Sequence, residues 1–134
     1  MAATVTLETS LRNSIADAVT TAIDTSASSP LGVATMRFMT SASPMVEVAR
    51  VSFSRPSFGA ASSGVITMAN APKSDTNADG GTMAFAAIHT SAGAKLLTCN
   101  VATSLAAINF AAGVVVTVGD TVQLTSFTIT CPAS

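Results

Sequence analysis

His89 is the only histidine in the chain, and an imidazole is the side chain best suited to moving a proton near neutral pH. It stands in the run AAIHTSAG, where Ser91 supplies a hydroxyl but no carboxylate follows within ten residues to orient the ring. Nucleophilic catalysis needs nucleophile, base and orienter in contact, so His89 reads as a histidine beside a hairpin turn. Asp75, Asn77 and Asp79 fall in the pattern Asp-x-Asn-x-Asp-Gly-Gly, which spaces oxygen ligands as the start of a calcium loop does. The closing glutamate of such a loop is missing, since Thr82 to Ile88 contains none, and a polar turn is expected instead. Gly80-Gly81 has neither the glycine spacing nor the lysine of a phosphate loop. Cys99 and Cys131 lie far apart in sequence and lack the paired spacing of a zinc site. Their apolar phases, Leu97-Cys99-Val101 and Phe127-Ile129-Cys131, predict two reduced, buried thiols acting as small hydrophobes. The sequence therefore assigns no catalytic, cofactor-binding or metal-binding residue, and no enzymatic activity is expected.

The chain that must position these residues has 134 of them, 49% apolar and only 10% charged, with a formal net charge of −1. Soluble domains carry about 25% charged residues. Disorder is excluded as the general state, because disorder needs few apolar residues and much net charge. Six Lys and Arg against seven Asp and Glu give no field to displace counterions from phosphate, so no nucleic-acid partner is expected. A mean hydropathy of +0.55 raises the possibility of a membrane span. A spanning helix needs about 20 apolar residues in a row. The longest apolar tract, Leu105 to Val118, is broken by Asn109, Gly113 and Thr117, so no membrane partner is expected either. The opening MAATVTLETSLRNS lacks the cationic start and apolar core of a secretory signal, which points to synthesis in a cytoplasm. With six Phe but no Trp or Tyr, the chain has no polar-edged aromatic on which a sugar could stack. Scarce charge on an Ala-, Ser- and Thr-rich surface favours association over a dilute monomeric life.

The local patterns divide the chain into one helix with its linker, residues 1–30, and a β-rich remainder, residues 31–134, within a single domain. Leu7, Leu11, Ile15 and Val19 recur every fourth residue up to Ile23, which is one face of an α-helix over 7–23. Thr6 is the expected N-cap, with Glu8 in the first turn. Arg12, Asp17 and Asp24 lie off that stripe. The face Leu7-Leu11-Ile15-Val19 is the candidate packing or interface surface, either against the β-domain or against a neighbouring subunit. Beyond the loop 26–32 the period changes to two. Strands are expected at 33–40, 45–54 and 64–69, followed by a long polar loop over 72–81. Two hairpins should follow, 82–90 with 95–103 across Ser91–Ala94, and 114–118 with 121–131 across Gly119-Asp120. Val122 and Leu124 are out of phase with Phe127, Ile129 and Cys131, and a bulge near Thr125-Ser126 would restore one face. Many short strands with frequent turns behind one helix predict a mainly β fold, an antiparallel β-sandwich or jelly roll.

Charge is segregated along the chain. Glu8, Asp17 and Asp24 against Arg12 leave −2 over residues 1–30. Arg37, Arg50, Arg55 and Lys73 against Glu47 leave +3 over 31–73, and Asp75, Asp79 and Asp120 against Lys95 leave −2 over the rest. Opposite patches of this size can steer and register an interface.

Three segments carry a family resemblance: LRNSIADAVTTAID, SFGAASSGVITMANA, and the C-terminal VTVGDTVQLTSFTITCPAS. Together they resemble small virion structural proteins of tailed bacteriophages. The middle of the chain departs from that pattern in lacking Tyr and Trp. The resemblance implies a non-enzymatic subunit that decorates and stabilises the outside of a phage head, without a cofactor. Its partners would be itself, as a homo-oligomer and most naturally a trimer, and the major capsid protein. A tail or fibre component that attaches to a host surface is the alternative it implies.

Overall fold

The computed structural model describes residues 5–25, 32–41, 45–110 and 113–132. The helix α1 runs over Thr9–Ile23. Thr6 does not cap it. Glu8 is the N-cap residue, in extended conformation, and no side chain closes the first turn. At the other end the Asp24 N–H bonds Thr20 O at 2.9 Å. The residues α1 buries are Ala16 and Ile23.

The rest of the fold is mainly β, with a curled sheet. Strands β1 (Thr35–Met39) and β2 (Glu47–Ser52) form an antiparallel pair with a register shift between Phe38 and Met39. The expected turn between them falls at 41–44, of which 42–44 lie outside the described residues, as does most of the 26–32 loop. Two short strands follow, β3 (Val65–Thr67) and β4 (Lys73–Asp75), then β5 (Gly81–Thr82) and β6 (Phe85–His89). Strand β7 (Lys95–Ala102) returns alongside β6, so the first expected hairpin is present. The chain ends through β8 (Ile108–Asn109), β9 (Val115–Val116), β10 (Val122–Leu124) and β11 (Thr128–Thr130). The main sheet has the order β2-β1-β6-β7-β8, and three two-stranded ribbons, β10-β4, β11-β3 and β5-β9, complete the fold.

The second expected hairpin does not form. Its turn is there, with the Asp120 N–H bonded to Thr117 O at 3.0 Å and the Asp120 carboxylate accepting the Thr117 N–H at 2.9 Å. Its arms, however, pair with the 72–82 segment instead of with each other. Gly81 faces Val116 and Asp75 faces Val122, in one continuous antiparallel register. Between those pairs the Gly119 N–H reaches Ala78 O at 2.8 Å. The polar run read as a loop thus contributes two strands, because its neighbours supply main-chain partners that its own side chains do not advertise.

The phase change near the C-terminus is also real but differently made. Val122, Leu124, Phe127 and Cys131 are all buried. The chain leaves β4 after Leu124 and joins β3 at Thr128, so the frame is reset by a change of partner strand rather than by a bulge within one strand.

Alternation places Met36 and Phe38 of β1 inward, beside Val51 and Ala49 of β2 and Ile88 and Ala86 of β6. The Phe38 ring meets Phe110 edge-on at 5.5 Å, and Phe58 lies between Phe53 at 5.6 Å and Phe127 at 6.2 Å. Each buried Phe contributes about 1.5–3 kcal/mol by leaving water. Ala16 and Ile23 of α1 belong to the same continuous core cluster.

Candidate interaction surface

The helix is held to the β-fold largely by polar side chains that grip main chain. The Arg12 Nε–H donates to Cys131 O at 3.0 Å. Asn13 Oδ1 accepts the Gly64 N–H at 2.7 Å, and Asp17 accepts the Ala61 N–H at 2.8 Å. Both Asp24 oxygens lie within hydrogen-bond reach of the Ser57 N–H, at 3.1 and 3.2 Å. The acceptor-rich side chains thereby satisfy the amides of the irregular stretch 57–64, which has few strand partners of its own. Gly64 has a φ of +76°, and a Cβ there would sit 2.9 Å from the Arg12 guanidinium. Its carbonyl also accepts the Cys131 N–H at 2.7 Å. Glycine is required at this junction both by backbone conformation and by space.

Gripping with one side leaves the other side outward. At 100° per residue, Leu11, Ile15, Ala18 and Ala22 fall within about 60° of one another, opposite Ala16, Thr20 and Ile23. Leu11 is 49% and Ile15 41% exposed, and Ala18 and Ala22 are exposed as well. Leu7 and Val19, at the margins, pack partly against the core. The four-residue stripe Leu7-Leu11-Ile15-Val19 is therefore divided: its two ends touch this chain's core and its middle faces out. The docking residues Asn13, Asp17 and Asp24 are spaced by four and seven, a helical period of their own. That period is the sequence signal for a second, polar face, of which only Asp17 and Asp24 are placed off the apolar stripe from sequence.

The residues with chemical potential are placed apart. Asp75 covers the outer edge of β2, with Oδ2 accepting the Arg50 N–H and Oδ1 accepting the Asn77 N–H, each at 2.9 Å. The Asp79 N–H bonds Val48 O on the same edge at 2.8 Å. These contacts turn the Asp-x-Asn-x-Asp run into an edge cover, one way a sheet blocks unwanted pairing. Glu47 and Arg50 form a two-pronged ion pair at 2.7 and 3.0 Å, and that hydrogen bond is the main reason the guanidinium holds its proton more tightly than usual. Among the described residues no three His, Cys, Asp or Glu side chains come together as metal ligands.

His89 ends β6 opposite Thr35 of β1. Burial, then the nearby positive charge of Arg37, push its pKa down. His89 Nδ1 and Ser91 Oγ are both buried without a hydrogen-bond partner among the described residues, so the two are not joined as base and nucleophile. Cys99 and Cys131 are free thiols. Cys131 is buried as expected, but Cys99 is only half-buried on β7, where desolvation raises its pKa.

Among the described residues the opposite edge of the sheet is only partly covered. Strand β8 pairs in parallel with Val101 and Ala102 alone, which leaves Lys95–Asn100 of β7 paired on one side among the described residues. A shallow groove of about 420 Å³ lies there, lined by Met45, Phe85, Lys95, Thr98, Cys99 and Asn100. A second, of about 360 Å³, lies between Phe110, Val115 and Gln123. Each groove holds a single charged side chain, Lys95 or Asp120.

No protein-family model, no curated protein and no solved structure matches this chain. Among the described residues no helix is long and apolar enough to cross a membrane. Among the described residues, the features open to a partner include the outward stripe of α1, the side of β7 left unpaired, and the exposed Leu105, Val115 and Val118.

Proposed function

We propose that this protein is a non-enzymatic structural subunit of a tailed-bacteriophage particle, decorating and stabilising the outside of the head as a homo-oligomer. The observation that carries the reading is the outward stripe of α1, in which Leu11 and Ile15 stand 49% and 41% exposed on a helix fixed by its polar side. A chain with 10% charge that holds apolar side chains out on a rigid element is suited to a large neutral contact. The resemblance of its helix, its 57–71 segment and its C-terminus to small virion proteins supplies the particle. On this reading the main sheet and the ribbons opposite it, joined through Phe53, Phe58 and Phe127, form an open β-sandwich, and the subunits assemble as trimers on the capsid protein after synthesis in the host cytoplasm. Binding the assembled shell and not its free subunits favours the shell by mass action, and a few kcal/mol per site suffices because sites are many.

The test is the ratio of this protein to the major capsid protein in purified particles, by quantitative gel densitometry. A ratio near one supports decoration. A ratio of a few per cent would place the protein in the tail or a fibre and overturn the reading. Particles lacking the protein should burst at lower temperature, with resistance restored on adding it back.

A further inference from the structure

The outward stripe of α1 has an internal order that selects its occupant. Its large side chains, Leu11 and Ile15, stand in the N-terminal half, and its small ones, Ala18 and Ala22, in the C-terminal half. When a second copy of the helix is laid against it antiparallel, about a two-fold axis midway along the stripe, Leu11 falls opposite Ala22 and Ile15 opposite Ala18. Every large side chain then meets a small one, at both ends. A parallel arrangement sets Leu11 against Leu11 and leaves Ala18 and Ala22 facing each other across a gap.

Charge makes the same choice. Glu8, exposed at the N-terminal end, is the charged residue at the margin of the stripe. Parallel helices bring the Glu8 carboxylates together at one end of the seam. The antiparallel pair holds them roughly 25 Å apart at 1.5 Å rise per residue, beyond the Debye length of physiological salt. Arg12 and Asp17, which could have disturbed such a seam, are already engaged with Cys131 O and the Ala61 N–H. The helix is therefore presented as a fixed face, and little ordering is needed when it pairs.

We infer that two copies of this protein associate through α1 in antiparallel fashion, with Leu11 and Ile15 of each copy seated on Ala22 and Ala18 of the other. A two-fold contact of this kind is isologous and closes on itself. It starts from the same stripe as the particle reading but fails separately: a protein that pairs this way and binds no phage head keeps this inference and loses that one. In trimers held by other surfaces, the same contact would link one trimer to the next.

The experiment uses the full chain in two parts. Sedimentation equilibrium over a wide concentration range should show an even-numbered species, dimer or hexamer, for the wild type. Ile15→Glu and Ala18→Glu point away from the protein's own core and should weaken association at least tenfold without lowering the melting temperature. Leu11→Cys and Ala22→Cys variants, mixed and oxidised, should then cross-link to each other, with the 11–22 linkage identified by mass spectrometry, while neither cross-links well with itself. Efficient self-linkage of Leu11→Cys would mean a parallel bundle and overturn the inference. So would a wild type that stays monomeric or stops at a plain trimer. A lowered melting temperature with unchanged mass in both Glu variants would show that the chain covers its own stripe, which equally overturns it.

Discussion

The amide of Gly64 donates to the Asn13 side chain at 2.7 Å while the Arg12 guanidinium lies over its α-carbon. Two adjacent helical residues thereby fix one loop residue whose backbone, at φ +76°, few other residues adopt. Helix, loop and the end of β11 meet there, because the Gly64 carbonyl also accepts from Cys131.

Gly64→Ala should consequently lower stability by about 1–3 kcal/mol, the range for a non-glycine residue held in the left-handed region. The guanidinium must also move aside. Chemical denaturation reads the loss directly, and an unchanged midpoint and slope would mean that the helix is not docked at this point.

The polar grip can be tested residue by residue. Asn13→Ala and Asp24→Ala each remove an acceptor from a part-buried main-chain amide, and each should cost about 1–2 kcal/mol. Ser14→Ala is the control: its hydroxyl bonds only Ser10 O on the exposed side of the same helix, and its loss should be within about 0.5 kcal/mol.

The two apolar ranks of α1 should separate in the same assay. Ile23 is 1% exposed, so Ile23→Ala should destabilise by about 2–5 kcal/mol through lost burial and a residual cavity. Ile15→Ala, at a site 41% exposed, should leave the folded subunit within about 0.5 kcal/mol of wild type under conditions where it is monomeric. Equal losses at the two sites would mean the helix is rotated from the orientation described.

Stability should fall with acidity through His89. Its pKa is lower in the folded chain than the ordinary value of about 6.5, because burial and then Arg37 disfavour the charged ring. The unfolded chain therefore binds the proton first. The contribution is fully present above the unfolded value and is lost progressively as pH falls toward the folded one. Denaturation of wild type and His89→Gln from pH 7.5 to 5 should show a shallower decline in the variant; parallel curves would remove His89 as a source of the slope.

The thiols should differ in rate. Alkylation of the native protein should label Cys99 slowly, as a half-buried thiol whose pKa is raised, and Cys131 only on unfolding. Intact mass in denaturant should then count two labels. Equal native rates would contradict the burial of Cys131.

Wherever neighbours in sequence are neighbours in space, the sequence alone determined the structure. The period-four run from Leu7 to Ile23 dictates a helix, since positions four apart share a face whatever surrounds them. Alternation in Thr35–Met39 and the turn after His89 dictate β1 and the β6–β7 hairpin, because local geometry and one buried face suffice. Tertiary structure alone decided the pairings between distant segments. Nothing within PKSDTNADGG marks it as two strands; its partners at 115–124 lie some forty positions away, and main-chain hydrogen bonding is indifferent to side-chain identity. The same holds for α1. Its apolar stripe and its polar row both have helical period, and periodicity cannot say which side turns inward. That was settled by the unpaired amides of Ser57, Ala61 and Gly64, which needed acceptors that Asn13, Asp17 and Asp24 could supply.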